Sequence, residues 1–549
     1  MCGIIAVVRS ESTRPVPTAD EIEKLLEAAG RVLAETGPEH ETLDEAARLL
    51  ETINGLLGGL AGVQALLQHQ LLAGCIGQQL SAVDREVMRL EAELDAGRAA
   101  GSTLEALNAA IIRLKDASWA IGRDRLRTAR AVADLCGPDA TATQLAAMLS
   151  IQEALSALDR LEVRGRDSAG LHVMVRHHGL DLDDPAVVAA LDRRNDALFG
   201  HRTVRVVDGL LSFVYKAAAE IGELGDNTAV LRAAIADDDL LRRSLLRPEA
   251  RAVVLGHTRW ASVGIISESN AHPLNSQETG RSGTAYCVAA LNGDVDNFAD
   301  LTAAESLSIA PEITTDAKVI PTLMARHLDA GESVTDAFRA TVAAFEGSVA
   351  IGAATAQAPE RIQLALRGSG QALYVGLADD AYIVASEPYG LVETTSRYLR
   401  VEGETPGNPD NPIASRGQII DLDGDRAGSL AGIVRQAYDG TDLPVTEADV
   451  VTAEITTRDI DRGDAPHYLL KEITEAPGSF RKTLRGKLVE VGDQLAIRLD
   501  TDTIPADVAA RVQDGTIKEV LVIGQGTAAV AGESLAAFLA EELRGRGLR

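Results

Sequence analysis

Aromatic residues are scarce in this chain of 549 residues: they make up 3% of it, so Ala, Leu, Val and Ile must fill its cores. Cysteine is scarce too, and the four copies are too few and too scattered for a disulfide scaffold or a zinc cluster. No apolar run reaches the ~18 residues of a membrane span, and the first residues lack the basic and long apolar segments of a signal peptide. These absences predict a cytoplasmic protein without a membrane span or a metal site.

Positive charge is also in deficit, because 53 Lys and Arg oppose 81 Asp and Glu, giving a net charge of −28. A field of that sign repels phosphate backbones and anionic lipid, so neither nucleic acid nor a membrane surface is an expected partner. The remaining composition, 46% apolar and 24% charged, is that of an ordinary globular protein. Its length suggests roughly two to four domains.

Three kinds of residue pattern follow one another along the chain. Ile4–Val8 is an apolar run without alternation, which predicts a buried strand. From residue 17 to 161, Leu, Ala and Ile recur at spacings of three and four, which predicts a set of helices. From residue 163 onward, short strand-like runs alternate with turns, and two helical stretches, Ala217–Leu245 and Thr315–His327, lie between them. Many strands with few helices between them predict an α+β fold with two layered sheets.

The last residues differ again. Ile517–Val522 reads as a buried strand, Gly524 to Thr527 as a tight glycine turn, and Ala528–Leu543 as a helix. This order is typical of the opening of a parallel α/β domain, in which helix-start amides receive a phosphate. One strand and one helix cannot cover a parallel sheet, so we expect residues 516–549 to be an incomplete domain.

Cys2 is the first candidate for chemistry. If the initiator Met is removed, its residue carries both a thiol, with a reference pKa of about 8.5, and an α-amine, with one of about 7.7–8.0. The amine can then act as a base for the adjacent sulfur, so nucleophile and base share one residue. The alternative is that this position merely begins a buried strand.

Other polar segments follow predicted strands. Arg259 offers a guanidinium fork that suits a carboxylate ligand. Asn292 and the amide of Gly293 can supply two donors to one developing oxyanion. Asp316 precedes a helix and can cap it. Each also has a purely structural interpretation, in which Arg259 lies on the surface, Asn292 and Gly293 form a hairpin turn, and Asp316 only caps a helix.

Six motifs occur in one order. They are Met-Cys-Gly-Ile at the start, Arg-Gly-Arg-Asp-Ser-Ala-Gly at 164–170, Gly-His-Thr-Arg-Trp-Ala at 256–261, Asn-Ala-His-Pro at 270–273, Asn-Gly at 292–293 and Asp316 before a helix. Together they resemble the class II glutamine amidotransferases, which are N-terminal-nucleophile hydrolases, and among these the glucosamine-6-phosphate synthase family. The segment His467–Ile473 favours that family over amidophosphoribosyltransferase, whose acidic phosphoribosyl-binding motif is absent.

The resemblance implies a four-layer αββα sandwich with glutaminase activity, formed by residues 1–10 and 156–455. It implies that Cys2 attacks the glutamine side-chain amide while Asn292 and Gly293 stabilise the oxyanion. The implied glutamine-binding residues are Arg259, Trp260, Ser262, His272 and Asp316. No cofactor is implied. The implied partners are L-glutamine, fructose 6-phosphate if an isomerase half is supplied, and either a separate isomerase-type chain or a second copy of this chain.

Several features depart from the family's pattern. Its usual Thr and His are Ser262 and Val263 here, which puts one contact of the glutamine loop in doubt. Residues 11–155 lengthen a short connection and predict an inserted helical subdomain, and residues 456–515 predict a linker. Gly526 and Thr527 resemble the family's first sugar-phosphate loop, but Ala528 replaces its following Ser, and the other loops have no counterpart before residue 549.

The leading hypothesis is therefore a glutamine amidotransferase that supplies ammonia for glucosamine 6-phosphate formation. Two alternatives remain open at this point. One is a stand-alone glutaminase or an ammonia-delivering subunit. The other is a non-catalytic glutamine sensor or scaffold.

Overall fold

The chain divides into two compact units, Met1–Glu93 with Ala100–Tyr468, and Leu94–Ala99 with Leu469–Arg549. The structure, a computed structural model, describes residues 2–35, 40–69, 71–95, 104–137, 139–218, 223–406, 416–463, 465–485, 487–491, 494–497 and 504–545. The first unit contains the whole predicted glutamine site, and the second contains Gly526 and Thr527.

The strands and helices have the following bounds. The strands are β1 (Gly3–Arg9), β2 (Ser168–Arg176), β3 (Val204–Val207), β4 (Leu210–Ala217), β5 (Arg251–Arg259), β6 (Leu274–Asn275), β7 (Cys287–Gly293), β8 (Val349–Thr355), β9 (Ala358–Arg367), β10 (Tyr374–Leu377), β11 (Ala381–Ala385), β12 (Arg397–Arg400), β13 (Gln418–Asp423), β14 (Ile433–Ala437), β15 (Val450–Thr452), β16 (Leu488–Val491) and β17 (Gln494–Ile497). The helices are α1 (Ala19–Glu35), α2 (His40–Leu56), α3 (Gly59–Gln68), α4 (Leu72–Asp95), α5 (Leu104–Trp119), α6 (Leu126–Cys136), α7 (Ala142–Leu161), α8 (Pro185–Asp192), α9 (Asp226–Ala236), α10 (Asp239–Ser244), α11 (Phe298–Ala304), α12 (Val319–Asp329), α13 (Val334–Ala343), α14 (Tyr468–Leu484), α15 (Ala506–Gln513) and α16 (Thr527–Gly545).

Two antiparallel sheets form the centre of the first unit. In the described residues, one sheet has nine strands in the order β15-β12-β10-β11-β1-β5-β2-β4-β3, and the other has six in the order β14-β13-β9-β8-β7-β6. Their facing sides share one apolar core, to which Ile4 and Leu255 contribute from the first sheet and Val288 and Leu364 from the second. The sheets therefore pack face to face.

Strand β1 lies in the middle of the nine-stranded sheet and is buried on both faces. Ile4, Ala6 and Val8 face the second sheet, whereas Ile5 and Val7 belong to the core on the helix side. This double burial explains why the sequence of β1 is an apolar run without alternation. Each fully buried Ile or Val side chain there stabilises the fold by about 1.5–3 kcal/mol.

Helices cover the outer face of each sheet. Helices α7 and α9 pack on the first sheet, with Leu155 and Leu231 in the same core as Ile5. Helices α12 and α13 pack on the second sheet, with Met324 and Phe338 in the core that they share with β7 and β8. The four-layer αββα arrangement expected from the sequence is confirmed.

The region predicted as an inserted helical subdomain is helical where the structure describes it. The apolar spacing predicts helices over Ala19–Glu35 and Ala142–Leu161, and α1 and α7 have those ends, whereas α3 and α6 were not predicted. Helix α7 runs through the boundary predicted at residue 155, since its Leu158 and Leu161 pack on the sheet as part of the sandwich.

Two other expectations are wrong. The predicted helix over Ala217–Leu245 is instead the end of β4 followed by α9 and α10, since Gly225 and Asp238 begin new helices. The predicted strand Ile517–Val522 is absent, because no described strand lies beside it to accept its backbone hydrogen bonds. The helix predicted after it is present as α16, and the predicted linker contains α14, α15 and the β16–β17 hairpin.

The described helices were also compared with the length and apolarity that a bilayer span requires. No single one meets both requirements, although the bent pair of α2 and α3 does so when taken together.

Candidate active site

The Cys2 thiol lies at the edge of the sandwich, immediately before β1. Because Gly3 pairs with Thr258 on β5, the thiol reaches the backbone just beyond that strand. The Trp260 amide donates to Sγ at 3.2 Å, and the Trp260 carbonyl lies 3.5 Å from Sγ. Burial raises the pKa of this thiol, while the Trp260 N–H and the Arg259 charge act in the opposite direction. The sulfur therefore needs a base to become a thiolate, and the site stabilises that thiolate once it forms.

Ser386, directly after β11, connects the Cys2 strand to Asn292. Its hydroxyl oxygen accepts hydrogen bonds from the Ile4 amide at 2.8 Å and from Asn292 Nδ2 at 2.7 Å. The Ser386 amide in turn donates to the Ile4 carbonyl at 3.1 Å. Ser386 thus links the Asn292 amide group to Ile4, which is two residues after Cys2. The second N–H of Asn292 Nδ2 is left for another acceptor.

A buried histidine holds the other end of the Asn292 side chain. His257 Nε2 lies 2.8 Å from the Leu291 carbonyl and 3.0 Å from Asn292 Oδ1. Both neighbours are acceptors, so this nitrogen carries the proton. Burial lowers the pKa of His257 to about 3, so the ring is neutral at physiological pH and orients Asn292 without adding charge.

His272 stacks on His257, with ring centroids 4.4 Å apart. Its Nδ1 accepts from the Leu291 amide at 3.4 Å, which leaves Nε2 to donate to Thr315 Oγ1 at 3.3 Å. Thr315 Oγ1 donates onward to Asp316 Oδ1 at 3.3 Å. Burial holds the pKa of His272 well below its ordinary value, so it orients the Asp316 side of the site as a neutral group.

Arg259 ends β5, and its guanidinium is buried. It donates to the Ile265 carbonyl at 3.1 Å and to the Val263 carbonyl. Among the described residues no carboxylate lies within 4.0 Å of this guanidinium, and burial lowers its pKa. A buried cation without a counter-ion is costly, so the position favours an anionic ligand.

The acidic side of the site lies on the segments after β7 and before α12. Asp316 is buried and accepts from the Val295 amide at 2.8 Å, and burial raises the pKa of its carboxyl group. Asp294 accepts from the Ser262 hydroxyl at 2.7 Å. Ser262 therefore contacts Asp294 in this structure.

Two site glycines are required by close backbone approach. Gly293 has φ +100°, and a Cβ there would lie 2.0 Å from the Ser348 carbonyl oxygen. A Cβ on Gly170 would lie 2.1 Å from the carbonyl oxygen of His272. Any side chain at either position would displace a strand of the site.

The structure thus brings the predicted residues of the first unit into one connected group. It differs from expectation at Trp260, which contacts Cys2 through its backbone while its ring is 60% exposed, and at Val263, which contributes only its carbonyl. Sequence reasoning missed the roles of Ser386 and His257. His257 stands within the motif at 256–261, but a motif does not show which groups its side chains contact.

The predicted sugar-phosphate residues lie in the second unit. Gly526 has φ +59°, and Thr527 is the first residue of α16. The glycine turn and the helix start are thus present where the sequence placed them.

Curated proteins of known name are similar to this chain in sequence. The chain is 29% identical over 349 residues to glutamine–fructose-6-phosphate aminotransferase (isomerizing) of Bacillus cereus, which is 63% of this chain and 44% of the relative. It is 30% identical over 286 residues to the enzyme of that name in Bacillus subtilis, and 26% identical over 379 residues to that of Streptococcus pneumoniae. These matches cover 52% and 69% of this chain and 40% and 48% of the relatives. The chain therefore matches less than half the length of each.

The chain is therefore similar in sequence to glutamine–fructose-6-phosphate aminotransferases. No protein-family model matches it. Among solved structures, an allosteric regulatory enzyme of purine biosynthesis aligns with a TM-score of 0.34 at 18% identity, over 53% of this chain and 46% of that one. Glutamine phosphoribosylpyrophosphate amidotransferase of Bacillus subtilis aligns with a TM-score of 0.32 at 17% identity, over 53% and 47%.

Proposed function

We propose that this protein hydrolyses the side-chain amide of glutamine with the Cys2 thiol as its nucleophile. The observation that carries the proposal is the thiol itself, which accepts a hydrogen bond from the Trp260 amide beside a buried arginine without a carboxylate partner. A nucleophile next to an unneutralised cation suits a substrate that carries both an acyl group and a carboxylate.

The reaction has two halves. Removal of Met1 gives Cys2 a free α-amine, which takes the thiol proton as sulfur attacks the amide carbon. The oxyanion is stabilised by the free N–H of Asn292 and by the Gly293 amide, a contribution of ~3–4 kcal/mol per donor. The C–N bond then breaks, and ammonia leaves with the proton. Water hydrolyses the thioester, which releases glutamate and restores the thiol.

Two opposite charges select free glutamine. Arg259 binds the α-carboxylate, while Asp316 and Asp294 provide the negative charge that attracts the α-ammonium. A glutamine residue inside a peptide has neither terminal charge, so it leaves both the buried guanidinium and the buried carboxylate unpaired. The cost of such unpaired charges is the basis of selectivity.

The ammonia is proposed to serve glucosamine 6-phosphate formation from fructose 6-phosphate. Support comes from the curated relatives, whose name states that they act on fructose 6-phosphate, and from the glycine turn at Gly526 and Thr527. We propose that the sugar reaction uses an isomerase-type half, either in a separate chain or in further sequence. Assembly with a second copy of this chain is part of the same proposal.

The test of the nucleophile is a glutaminase assay of the parent and of two variants. Cys2→Ala is expected to lose at least ~10⁴-fold in kcat, as removal of a nucleophile does elsewhere. Cys75→Ala, at another partly exposed cysteine, keeps the parent rate. A Cys2→Ala protein that releases ammonia at the parent rate would falsify the proposal. Intact mass must also show that Met1 is absent, since a blocked amine removes the base.

The test of the acceptor adds fructose 6-phosphate to the same assay. If the chain takes part in glucosamine 6-phosphate formation, an isomerase-type partner supplied in trans yields that product from glutamine. Ammonia release with no amino sugar under any pairing identifies a stand-alone glutaminase. Glutamine binding without ammonia release identifies a sensor.

A further inference from the structure

A polar cavity of about 210 Å³ lies on the helix side of the first unit, away from β1 and Cys2. Its wall is built by three parts of the chain that are distant in sequence. Trp119, Asp124 and Arg127 come from the inserted helices, Ser156, Asp159 and Arg160 from α7, and Thr457, Asp461, Arg462 and Tyr468 from the segment after β15. This volume is below the ~300–1,000 Å³ of sites for drug-sized ligands, so it suits a small metabolite.

Two polar atoms of the wall have no hydrogen-bond partner within the part of the chain that the structure describes. Asp124 is 3% exposed, and although its Oδ2 accepts from Thr457 Oγ1 at 2.6 Å, its Oδ1 accepts no hydrogen bond. The indole N–H of Trp119 also lacks an acceptor. An unmade hydrogen bond at a buried polar atom is unfavourable, so a ligand that satisfies both atoms binds more tightly.

The backbone around Asp124 is also unusual. Residues Ala120–Arg125 form a π-helical turn between α5 and α6. Such turns occur mostly at functional sites, because the extra residue in the turn costs stability and redirects side chains. Here the turn places Asp124 in the wall of the cavity.

The cations of the wall are only partly neutralised. Arg160 pairs with Glu393 at 2.6 Å, so its charge is balanced. Arg462 donates to the carbonyls of Ala465 and Pro466, at 2.8 and 3.0 Å, and no described carboxylate lies within 4.0 Å of its guanidinium. Arg127 has neither a hydrogen bond nor an ion pair of its side chain among the described residues. The wall thus offers two guanidinium groups without an ion pair among the described residues, one free N–H donor and one free carboxylate oxygen, while the carboxylates of Asp159 and Asp461 also line it.

We propose that the polar cavity binds a small anion, a phosphate or a carboxylate, that also carries a hydroxyl or ammonium group. The anionic group pairs with Arg127 and Arg462 and accepts from the Trp119 indole. The hydroxyl or ammonium group donates to Asp124 Oδ1. Both ends of the ligand are needed, because an anion alone leaves the Asp124 oxygen unpaired and adds like-charge repulsion beside it.

A ligand bound in the polar cavity contacts the inserted helices, α7 and the segment after β15 at the same time. That segment is already held to the insertion by Thr457 on Asp124 and by Arg458 Nε, which lies 2.5 Å from Asp116. Helix α7 ends at Leu161, whose carbonyl accepts from Thr258, the residue that pairs with Gly3 beside Cys2. A ligand in the polar cavity therefore stabilises the helices that support the Cys2 strand.

The test is isothermal titration calorimetry of the full chain with three probes: glycerol 3-phosphate, L-malate and phosphoethanolamine. Inorganic phosphate and succinate, which lack the hydroxyl or ammonium group, are the matched weaker probes. At least one of the three probes is expected to bind, and Asp124→Asn and Arg127→Gln each weaken that binding by roughly tenfold or more. Comparison of the phosphate and carboxylate probes identifies the anionic group.

Three control variants separate this cavity from other sites. Arg130→Gln, an exposed arginine on α6 outside the cavity, keeps parent affinity. Cys2→Ala and Thr527→Ala keep it too, which excludes the glutamine site and the glycine turn of the second unit. Binding that survives both cavity variants, or no binding of any of the three probes at millimolar concentration, overturns the proposal. Melting temperatures of all variants identify any that fail to fold.

Discussion

A buried arginine lies at each end of strand β1: Arg9 is its last residue, and Arg259, the last residue of β5, lies beside its first residues. The two arginines have opposite surroundings. At the carboxyl end, Arg9 lies between two carboxylates, with NH2 2.5 Å from Glu153 and NH1 bonded to Asp380. At the amino end, Arg259 lies beside Cys2 and bonds only to backbone carbonyls. The surroundings raise the pKa of Arg9 and lower that of Arg259.

The difference shows that Arg9 stabilises the fold, whereas Arg259 is available to bind a ligand. The Arg9 end is complete without any other molecule, because its charge and its Nε, which donates to Ser150 at 3.1 Å, are satisfied within the chain. The Arg259 end is complete only when an anion arrives. A fold that keeps such a cation stores part of its ligand-binding free energy as unfavourable desolvation.

Replacing Arg9 by Met is expected to have the largest effect on stability. It leaves the carboxylates of Glu153 and Asp380 buried and unpaired, so the free energy of unfolding falls by about 3–5 kcal/mol. Chemical denaturation measures this loss. The matched control is Arg176→Met, where the carboxylate of Asp425 is exposed and the expected loss is at most ~1 kcal/mol. Equal losses of unfolding free energy in the two variants would show that the buried ion pairs of Arg9 contribute no more than the exposed pair of Arg176.

Replacing Arg259 by Gln is expected to have the opposite result, a loss of activity with little loss of stability. The kcat/KM for glutamine falls roughly 10²–10³-fold, about 3–4 kcal/mol, because the α-carboxylate loses its charged partner. Stability changes little, since the lost hydrogen bonds are offset by removal of an unneutralised buried charge. Arg166→Gln, on the neighbouring exposed loop, keeps the parent kinetics. A large fall in melting temperature with unchanged kcat/KM would assign Arg259 to the fold.

Replacing Ser386 by Ala tests how the Cys2 end is positioned. The Ile4 amide and one N–H of Asn292 lose their acceptor, so stability falls by about 1–3 kcal/mol. We expect kcat to fall about tenfold and KM to stay unchanged, because Asn292 acts on the oxyanion and not on bound glutamine. In the control Ser348→Ala only one carbonyl loses a donor. A change confined to KM would argue against this role for Ser386.

The pH dependence of the free energy of unfolding also differs between the Arg9 end and the Cys2 end of β1, but by a smaller amount. Arg9 keeps its charge at any working pH, but the pKa of His257 falls to about 3 in the folded chain against about 6.5 unfolded. Below pH 6.5 the unfolded chain therefore binds more protons, and stability falls by about 1.4 kcal/mol per pH unit for this histidine. The measurement is denaturation at pH 5 to 7.5 for the parent and for His257→Gln, which should show a shallower slope. His177→Gln, at an exposed histidine, should keep the parent slope.

Sequence reasoning succeeded where the signal is local or where several motifs occur together. The apolar run of β1 and the 3.6-residue periodicity of α1 and α7 predicted those elements with nearly the observed ends. It failed at Ile517–Val522, because a strand needs a neighbouring strand and apolar composition alone does not supply one. It did not show that the Ser262 hydroxyl donates to Asp294, because that contact depends on the conformation of the loop.

The sequence by itself determined the sandwich and the residue types of the Cys2 end, because buried strands, glycines and ordered motifs leave signatures within a few residues of one another. The tertiary structure alone decided which of two buried arginines is neutralised, which hydroxyl holds Asn292, and which groups face the polar cavity. These outcomes depend on side chains that are up to about 380 residues apart, such as Ile4 and Ser386. Contacts of that separation follow from how sheets and helices pack, which no local pattern encodes.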